Sequence, residues 1–387
     1  MMKHNHVFLI KGEATAELAL TPLLGKTCRE HVERTLADAS LAPASDAVAD
    51  SAALLALLTD DAATALLVRE DAPCLNAATY TGLLEEAERA SRPAAVLSGD
   101  LQTPLAIAIG EGQLRELAAK DAFPLTLAKL VERFDEAGVA MKVVHRQEPE
   151  AYIAVTDATS FAAAFRYLRA KLVKAHMDGG VIILDPERTI IERDVSIGAG
   201  TIVYAGNMLQ GRTAVGCRCT LLPNNRMSDA TVGDDTTVES SVLIRCKVGA
   251  HTTVGPYAYL RPDANVGEHC RIGDFVEIKN SSIDDGTKVS HLTYVGDSDL
   301  GKDINLGCGV VFVNYDGKVK QRSRVDDHAF IGCNCNLVAP VHIGRNAYLA
   351  AGSTVVDDVP DDALFVARSR GVVKEDWVKR RTEQGKL

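Results

Sequence analysis

A step of six residues runs through the second half of the chain and restricts it to very few folds. Aliphatic residues fall at Val248, Val254, Leu260, Val266, Ile272 and Ile278 without a break. The same step carries Ile197, Val203, Leu209, Val215, Leu221 and Met227 upstream, and Val325, Ile331, Leu337, Ile343, Leu349 and Val355 downstream. Neither the period of a helix nor that of a strand produces it. A hexapeptide repeat does, and its physical form is a parallel β-helix. Each six residues make one short strand and one corner, with the aliphatic side chain pointing into a narrow prism. Three such sides close one coil, so Ile197 to Val359 is predicted to wind about nine coils. Gly often follows the aliphatic residue, as at Gly249, Gly267 and Gly307, where it is expected to supply the backbone freedom of a corner. A small residue sits four places after it, as at Thr201, Cys219, Thr252 and Cys270. Cys219, Cys270 and Cys335 therefore read as filler inside the prism, and no metal site is assigned to the C-x-C pairs.

Composition narrows the function classes. Aromatic residues are only 5% of the chain, so its core is tiled from aliphatic and small side chains. The net charge of -10 argues against sequence-independent nucleic-acid binding, which rests on basic surface. No apolar run approaches the roughly 20 residues that span a bilayer. The opening segment, MMKHNHVFLIKGEATAE, does not read as a signal peptide, and nine cysteines without a CxxC pair suit a reducing compartment. A cytoplasmic protein is expected.

Residues 1–157 read as an α/β domain. Strands are predicted around Val7, Leu66, Val96, Ile107 and Val143. Helices are predicted over CREHVERTLADAS, YTGLLEEAERA, GQLRELAAK and PLTLAKLVERFDEAG. Residues 158–180 read as a linker helix, 181–371 as the prism, and 372–387 as a last helix and tail holding Trp377. The first domain lacks a Gly-rich phosphate loop. LIKGEATAE has one glycine, Gly12, where several backbone N–H groups would have to converge.

Chemistry-bearing residues interrupt the repeat at LRP, EIKN, SHLTY and NYDGKVKQRSR. The last breaks the six-residue register, so it is a loop thrown out of the prism. Arg261 and Lys279 are 18 residues apart, one coil, and should stack as a cation pair able to hold a phosphate dianion. His291 is a candidate general base. Its spacing of 12 from Lys279 puts the two on different sides of the prism, so a neighbouring subunit would have to bring them together. A prism-fold carbonic anhydrase, with three histidines on zinc, is the rival metal reading, and it leaves the NYDGK loop without a purpose.

These stretches, with DPERTIIERDVSIG, NLGCG, NLVAPVHIG and AAGSTVV, closely resemble one family over Ile182 to Trp377. It is the bacterial bifunctional N-acetylglucosamine-1-phosphate uridyltransferase/glucosamine-1-phosphate N-acetyltransferase family. The resemblance implies a left-handed parallel β-helix, a homotrimer, acetyl-CoA as acyl donor and an amino-sugar phosphate as acceptor, with no metal required for acetyl transfer. By the same resemblance His291 is the catalytic base, and Arg261 and Lys279 are the sugar-phosphate ligands. Tyr294 and Asn305 hold the sugar. Asn314, Tyr315 and Lys320 belong to the acetyl-CoA loop, and Ala351 and Arg368 are further coenzyme contacts. The family's coenzyme-side Ala and Ser are Cys308 and Cys333 here. The first half resembles the family weakly. EDAPCL around Asp71 is similar to its metal-binding strand end, but the nucleotide loop is gone, which implies a degenerate nucleotidyltransferase-like domain without uridyl transfer. Two alternatives stay open: a different phosphorylated or nucleotide-linked amino sugar as acceptor, and a non-catalytic trimeric scaffold.

Overall fold

Four runs rich in aliphatic residues form the body of the first-half sheet, because strands covered on both faces are continuously apolar, and a short, partly exposed strand at Lys142–Val143 completes it. The computed structural model describes residues 5–44, 47–99, 103–145 and 149–387. In chain order the first half contains β1 (Asn5–Ile10), α1 (Ala16–Leu20), α2 (Cys28–Asp38), α3 (Ser51–Leu57), β2 (Thr64–Arg69), α4 (Ala77–Ala90), β3 (Ala94–Leu97), β4 (Pro104–Gly110), α5 (Glu111–Ala118), α6 (Leu127–Glu136), β5 (Lys142–Val143) and α7 (Ala158–Asp178). The sheet order is β1-β2-β4-β3-β5, with β4 antiparallel to both of its neighbours. Every residue of β2 is buried. One side of the sheet packs Val7, Leu9, Leu66 and Val68 against Tyr80, Leu83 and Leu84 of α4. The other packs Phe8, Ile10, Leu67 and Ile107 against Leu130 and Phe134 of α6. Helix α2 starts at a capping box, Thr27 with Glu30, which satisfies two orphan N–H donors.

Chain contacts divide the molecule into two units, Met1–Asp178 with Ile190–Asp194, and Gly179–Thr189 with Val195–Leu387. Helix α7, expected as a linker reaching Gly180, ends at Asp178 and groups with the first unit. Among the described residues no helix is long and apolar enough to cross a membrane.

The second unit is a parallel β-helix with three faces. Face one has 11 strands, face two 10 and face three 9. Face one runs from Ile182–Ile183 to Leu364–Phe365, so the winding begins one coil earlier than Ile197 and ends later than Val359. That first coil lies inside the prism expected over 181–371 but outside the traced six-residue register, because Pro186 and a short 3-10 turn, Pro186–Arg188, replace the glycine-marked hexad. Aliphatic residues stack coil upon coil along the axis: Leu260 on Ile278 on Val295, each fully buried. Corner threonines turn inward and bond the next coil's carbonyl groups, Thr252 Oγ1 to Gly267 O at 3.0 Å and Thr287 Oγ1 to Gly301 O at 2.8 Å. Cys219 and Cys270 do the same weakly with their thiols. Burial pushes the Cys270 thiol up to about 11, as suits an inert core group.

The glycines have a different reason from the one expected. Gly249 and Gly307 are not among the residues with positive φ. A Cβ on Gly249 would lie 2.5 Å from the Gly267 backbone, and one on Gly307 2.5 Å from Cys333 N. Close approach of adjacent coils, not backbone freedom, selects glycine there. The left-handed corner positions are filled both by other glycines, such as Gly200, Gly286 and Gly309, and by side-chain-bearing residues such as Tyr257, Phe275 and Leu292. The last helix is also shorter than expected: α8 spans Trp377–Glu383, and residues 372–376 are not helical.

Stacking makes each coil depend on its neighbours. Ile278→Ala is expected to cost about 2–5 kcal/mol, because the cavity is walled by Leu260 and Val295. Denaturant unfolding of the full chain measures it.

Candidate active site

Two clusters of polar side chains stand out from the prism. The first lies along the corner between faces one and two. In face one, Arg271–Asp274 pairs in parallel with Lys288–His291, and Asp274 is the register partner of His291. The next pairings, Val289 with Leu306 and Leu306 with Ile331, carry the same corner column to Cys308, Cys333 and Ala351. Backbone bonds hold these coils together at the corner itself: Asn334 N donates to Cys308 O at 2.8 Å, and Gly352 N to Cys333 O at 2.8 Å. Arg368 ends the column, its Cδ above Gly352. His291 Nδ1 is 2.6 Å from Asp274 Oδ1, and both side chains are partly exposed. The bond to His291 holds the Asp274 carboxyl below its usual range, helped by the backbone N–H of Asp274. Cys308 is half-buried and Cys333 exposed, so the wall above His291 is low and lined by small groups.

The second cluster lies along the corner between faces two and three. Face-two strands Tyr259–Leu260 and Glu277–Lys279 are adjacent, so Arg261 and Lys279 occupy neighbouring coils. Arg261 Nη1 bonds Glu277 Oε1 at 2.6 Å. The Lys320 side chain comes against Lys279 and pushes the Lys279 ammonium below the ordinary lysine value, with Asp297 opposing. Lys320 arrives on the loop between Val311–Val313 and Ser323–Val325, where Tyr315 and Lys320 form a bridge. Asp316 tightens the turn by accepting from the N–H groups of Lys318 and Val319 at 2.8 and 2.7 Å. Asn314 anchors the loop base by donating to Asp297, and its amide lies 3.5 Å from the Tyr294 hydroxyl.

The residues singled out from sequence thus fall in separate places. Arg261, Lys279, Tyr294, Asn314, Tyr315 and Lys320 gather at the edge of face two. His291, Cys308, Cys333, Ala351 and Arg368 line the other edge of that face. Asn305 opens the face-one strand in the coil above His291, paired with Lys288. The structure groups Lys320 with Lys279 rather than with the column of small residues. Three carboxylates were missed: Asp274, Glu277 and Asp297. The spacing of 17 residues between Asp274 and His291, one coil, was the available signal for the first.

The first unit has its own cleft of ≈ 400 Å³, lined by Lys11, Gly12, Thr27, Arg29, Glu70 and Asp71. Two of the backbone N–H groups at its loop already serve carboxylates. Glu13 N donates to Asp71 Oδ2 at 2.8 Å, and Gly12 N to Glu70 Oε1 at 3.4 Å. Arg69 clasps Asp71 with two bonds of 2.8 Å, and the pair is almost fully buried. A Cβ at Gly12 would meet the Asp71 carboxyl carbon at 2.3 Å, so that carboxylate fills the space over the loop. Both Asp71 oxygens thus accept from protein donors, Oδ1 from Arg69 and Oδ2 from Arg69 and Glu13 N.

Fold and corner chemistry together define a hexapeptide-repeat β-helix protein, and the family described as bacterial transferase hexapeptide (six repeats) matches residues 245–280. More particular relatives bear out the resemblance drawn from the motifs. "Bifunctional protein GlmU" of Clostridioides difficile is 49% identical over 235 residues, 61% of this chain and 51% of that protein. The protein of the same name from Clostridium acetobutylicum is 47% identical over 232 residues, 60% of this chain and 51% of that one. That from a Geobacillus strain is 42% identical over 254 residues, 66% and 55%. The chain therefore spans about half the length of the curated relatives it matches.

Proposed function

We propose that the second unit transfers an acetyl group from acetyl-CoA to the amino group of glucosamine 1-phosphate, in the route to UDP-N-acetylglucosamine. The observation that supports this most is the placement of Arg261 and Lys279 on adjacent coils, with Lys320 near enough to depress the Lys279 ammonium. Like charges repel at such range, and a phosphate dianion placed between them turns the repulsion into attraction. His291 provides the base that an ammonium acceptor needs. Acetyl-CoA supplies an activated acyl group and a thiolate that leaves readily. The small column of Cys308, Cys333 and Ala351 fits a thioester passing beside the imidazole, and Arg368 offers a cation for the coenzyme's phosphates. His291 takes the proton that the amine sheds as it attacks the thioester carbon, and returns it to the departing sulfur as the C–S bond breaks.

Within one chain the base and the cation pair stand at opposite edges of face two. The reading therefore requires a second copy, with His291 of one protomer facing Lys279 of another in a closed homotrimer. Tyr257, Phe275 and Leu292 support it: they form an exposed apolar stripe beside Asp274 and His291, 61%, 57% and 57% accessible, with the first two rings stacked at 5.5 Å. In the first unit the commitment of Asp71 to Arg69 supports loss of uridyl transfer. One assay tests both halves. With acetyl-CoA and glucosamine 1-phosphate the protein is expected to release thiol, and to do so far more slowly with glucosamine. With UTP, magnesium and N-acetylglucosamine 1-phosphate it is expected to make no UDP-N-acetylglucosamine. Equal rates for the two amines would defeat the phosphate site, and nucleotide-sugar formation would defeat the degenerate first unit.

A further inference from the structure

We propose that Asp274 is a positioning residue that fixes which nitrogen of His291 acts as the base; the inference rests on the acetyl-transfer reading of that corner. The argument starts from hydrogen-bond inventory. An ionised carboxylate only accepts. Asp274 stays ionised because His291 and a backbone N–H both stabilise its charge. At 2.6 Å from Asp274 Oδ1, His291 Nδ1 must therefore carry the proton. A neutral imidazole with Nδ1–H has its lone pair on Nε2. Asp274 thus presents Nε2 as the proton acceptor and holds the ring plane, the role a carboxylate plays wherever it orients a basic imidazole.

The geometry of the coil makes this pairing rigid. Asp274 and His291 are register partners in adjacent parallel strands, so their Cα atoms are fixed by backbone bonds on both sides. Leu292 N donates to Asp274 O at 3.0 Å, which locks the corner immediately after the base. Gly273, just before the carboxylate, admits no side chain: a Cβ there would come 1.9 Å from Ser290 O. The corner Gly273–Asp274 is thus pressed against Ser290–His291 by main chain alone. The next residue up the column is Cys308, whose coil meets the His291 coil through Gly309 N and His291 O at 3.4 Å. Carboxylate, imidazole and the small-residue wall follow one another along a single corner, in the order that places the base between its orienting group and the proposed thioester channel.

The test uses full-length Asp274→Leu and Asp274→Asn, with circular dichroism and sedimentation as controls for fold and assembly. Asn keeps an acceptor oxygen for Nδ1–H, and Leu removes it. Asp274→Leu is expected to lower kcat at least about tenfold with the KM for acetyl-CoA within about twofold, the pattern of a group that acts in the transition state. Asp274→Asn is expected to recover part of that loss. The second readout is the 15N spectrum of histidine-labelled protein, with the His291 signals assigned by their absence in His291→Ala. The parent is expected to show His291 as the Nδ1–H tautomer and Asp274→Leu a mixture. Unchanged kcat in the Leu variant, or an Nε2–H tautomer in the parent, would overturn the proposal. If the parent transfers no acetyl group at all, the activity reading has failed, while the tautomer spectrum still decides whether Asp274 sets the ring.

Discussion

His291→Ala is expected to lower acetyl transfer at least about a hundredfold while the β-helix and its assembly persist. The magnitude follows from what is removed. A glucosamine acceptor is mostly an ammonium at neutral pH, and only the amine has a lone pair for attack. General-base help is worth about 10² to 10⁴ in rate, and no other imidazole lies on the Asp274 column to replace it. The fold should survive because His291 is half exposed and its principal side-chain bond is to Asp274, itself on the surface. Substrate positioning by the cations and the small-residue wall is untouched, so the loss should fall on kcat rather than on KM. Steady-state thiol release, with far-ultraviolet circular dichroism as the control, measures it. Full activity in the variant would end the assignment of the base.

Lys279→Ala is expected to lower kcat/KM for the sugar phosphate about tenfold to a hundredfold, the worth of one charge-assisted bond. Its effect on the free protein should have the opposite sign. The Lys279 pKa is depressed in the fold, chiefly by the adjacent Lys320. A base held below its ordinary pKa is less easily protonated folded than unfolded, so the contact opposes folding at neutral pH. That opposition fades as pH rises through the depressed value to the ordinary lysine value. Removing the ammonium should therefore leave stability unchanged or slightly raised at neutral pH, while binding suffers. Thermal melts with and without inorganic phosphate separate the two effects. The anion should raise the melting temperature of the parent more than that of the variant.

Much of this molecule is legible in its sequence, and the exceptions have physical causes. The six-residue step fixes the prism because every inward position must be aliphatic and every coil must repeat the same geometry. The sheet strands of the first unit show as unbroken apolar runs such as ATALLV. Helices α1 and α3 were missed because AELAL and SAALLAL are too short to establish a helical period. The coil spacing placed Arg261 and Lys279 on adjacent coils, as the structure has them, because a coil without a loop varies by only a residue or two. Lys320 was beyond that arithmetic: it reaches Lys279 on a loop that leaves the register, and loop conformation is set by turn bonds such as those to Asp316. Asp274 and Glu277 were overlooked for another reason. Acidic residues are common on an acidic surface, and only their register with His291 and Arg261 separates them from solvated charges. The Arg69–Asp71 clasp was invisible because the strand ends at Arg69, and the turn that brings Asp71 back onto it is not set by strand alternation.

The most direct measurement mixes two crippled proteins. His291→Ala and Lys279→Ala are unfolded together in equal amounts, refolded, and assayed for acetyl transfer to glucosamine 1-phosphate. If base and cation come from different copies, about a quarter of the sites in random assemblies inherit both intact groups, and activity should recover to roughly that fraction of the parent. Mixed assemblies that form but show no more activity than the two variants measured separately would contradict a site shared between protomers.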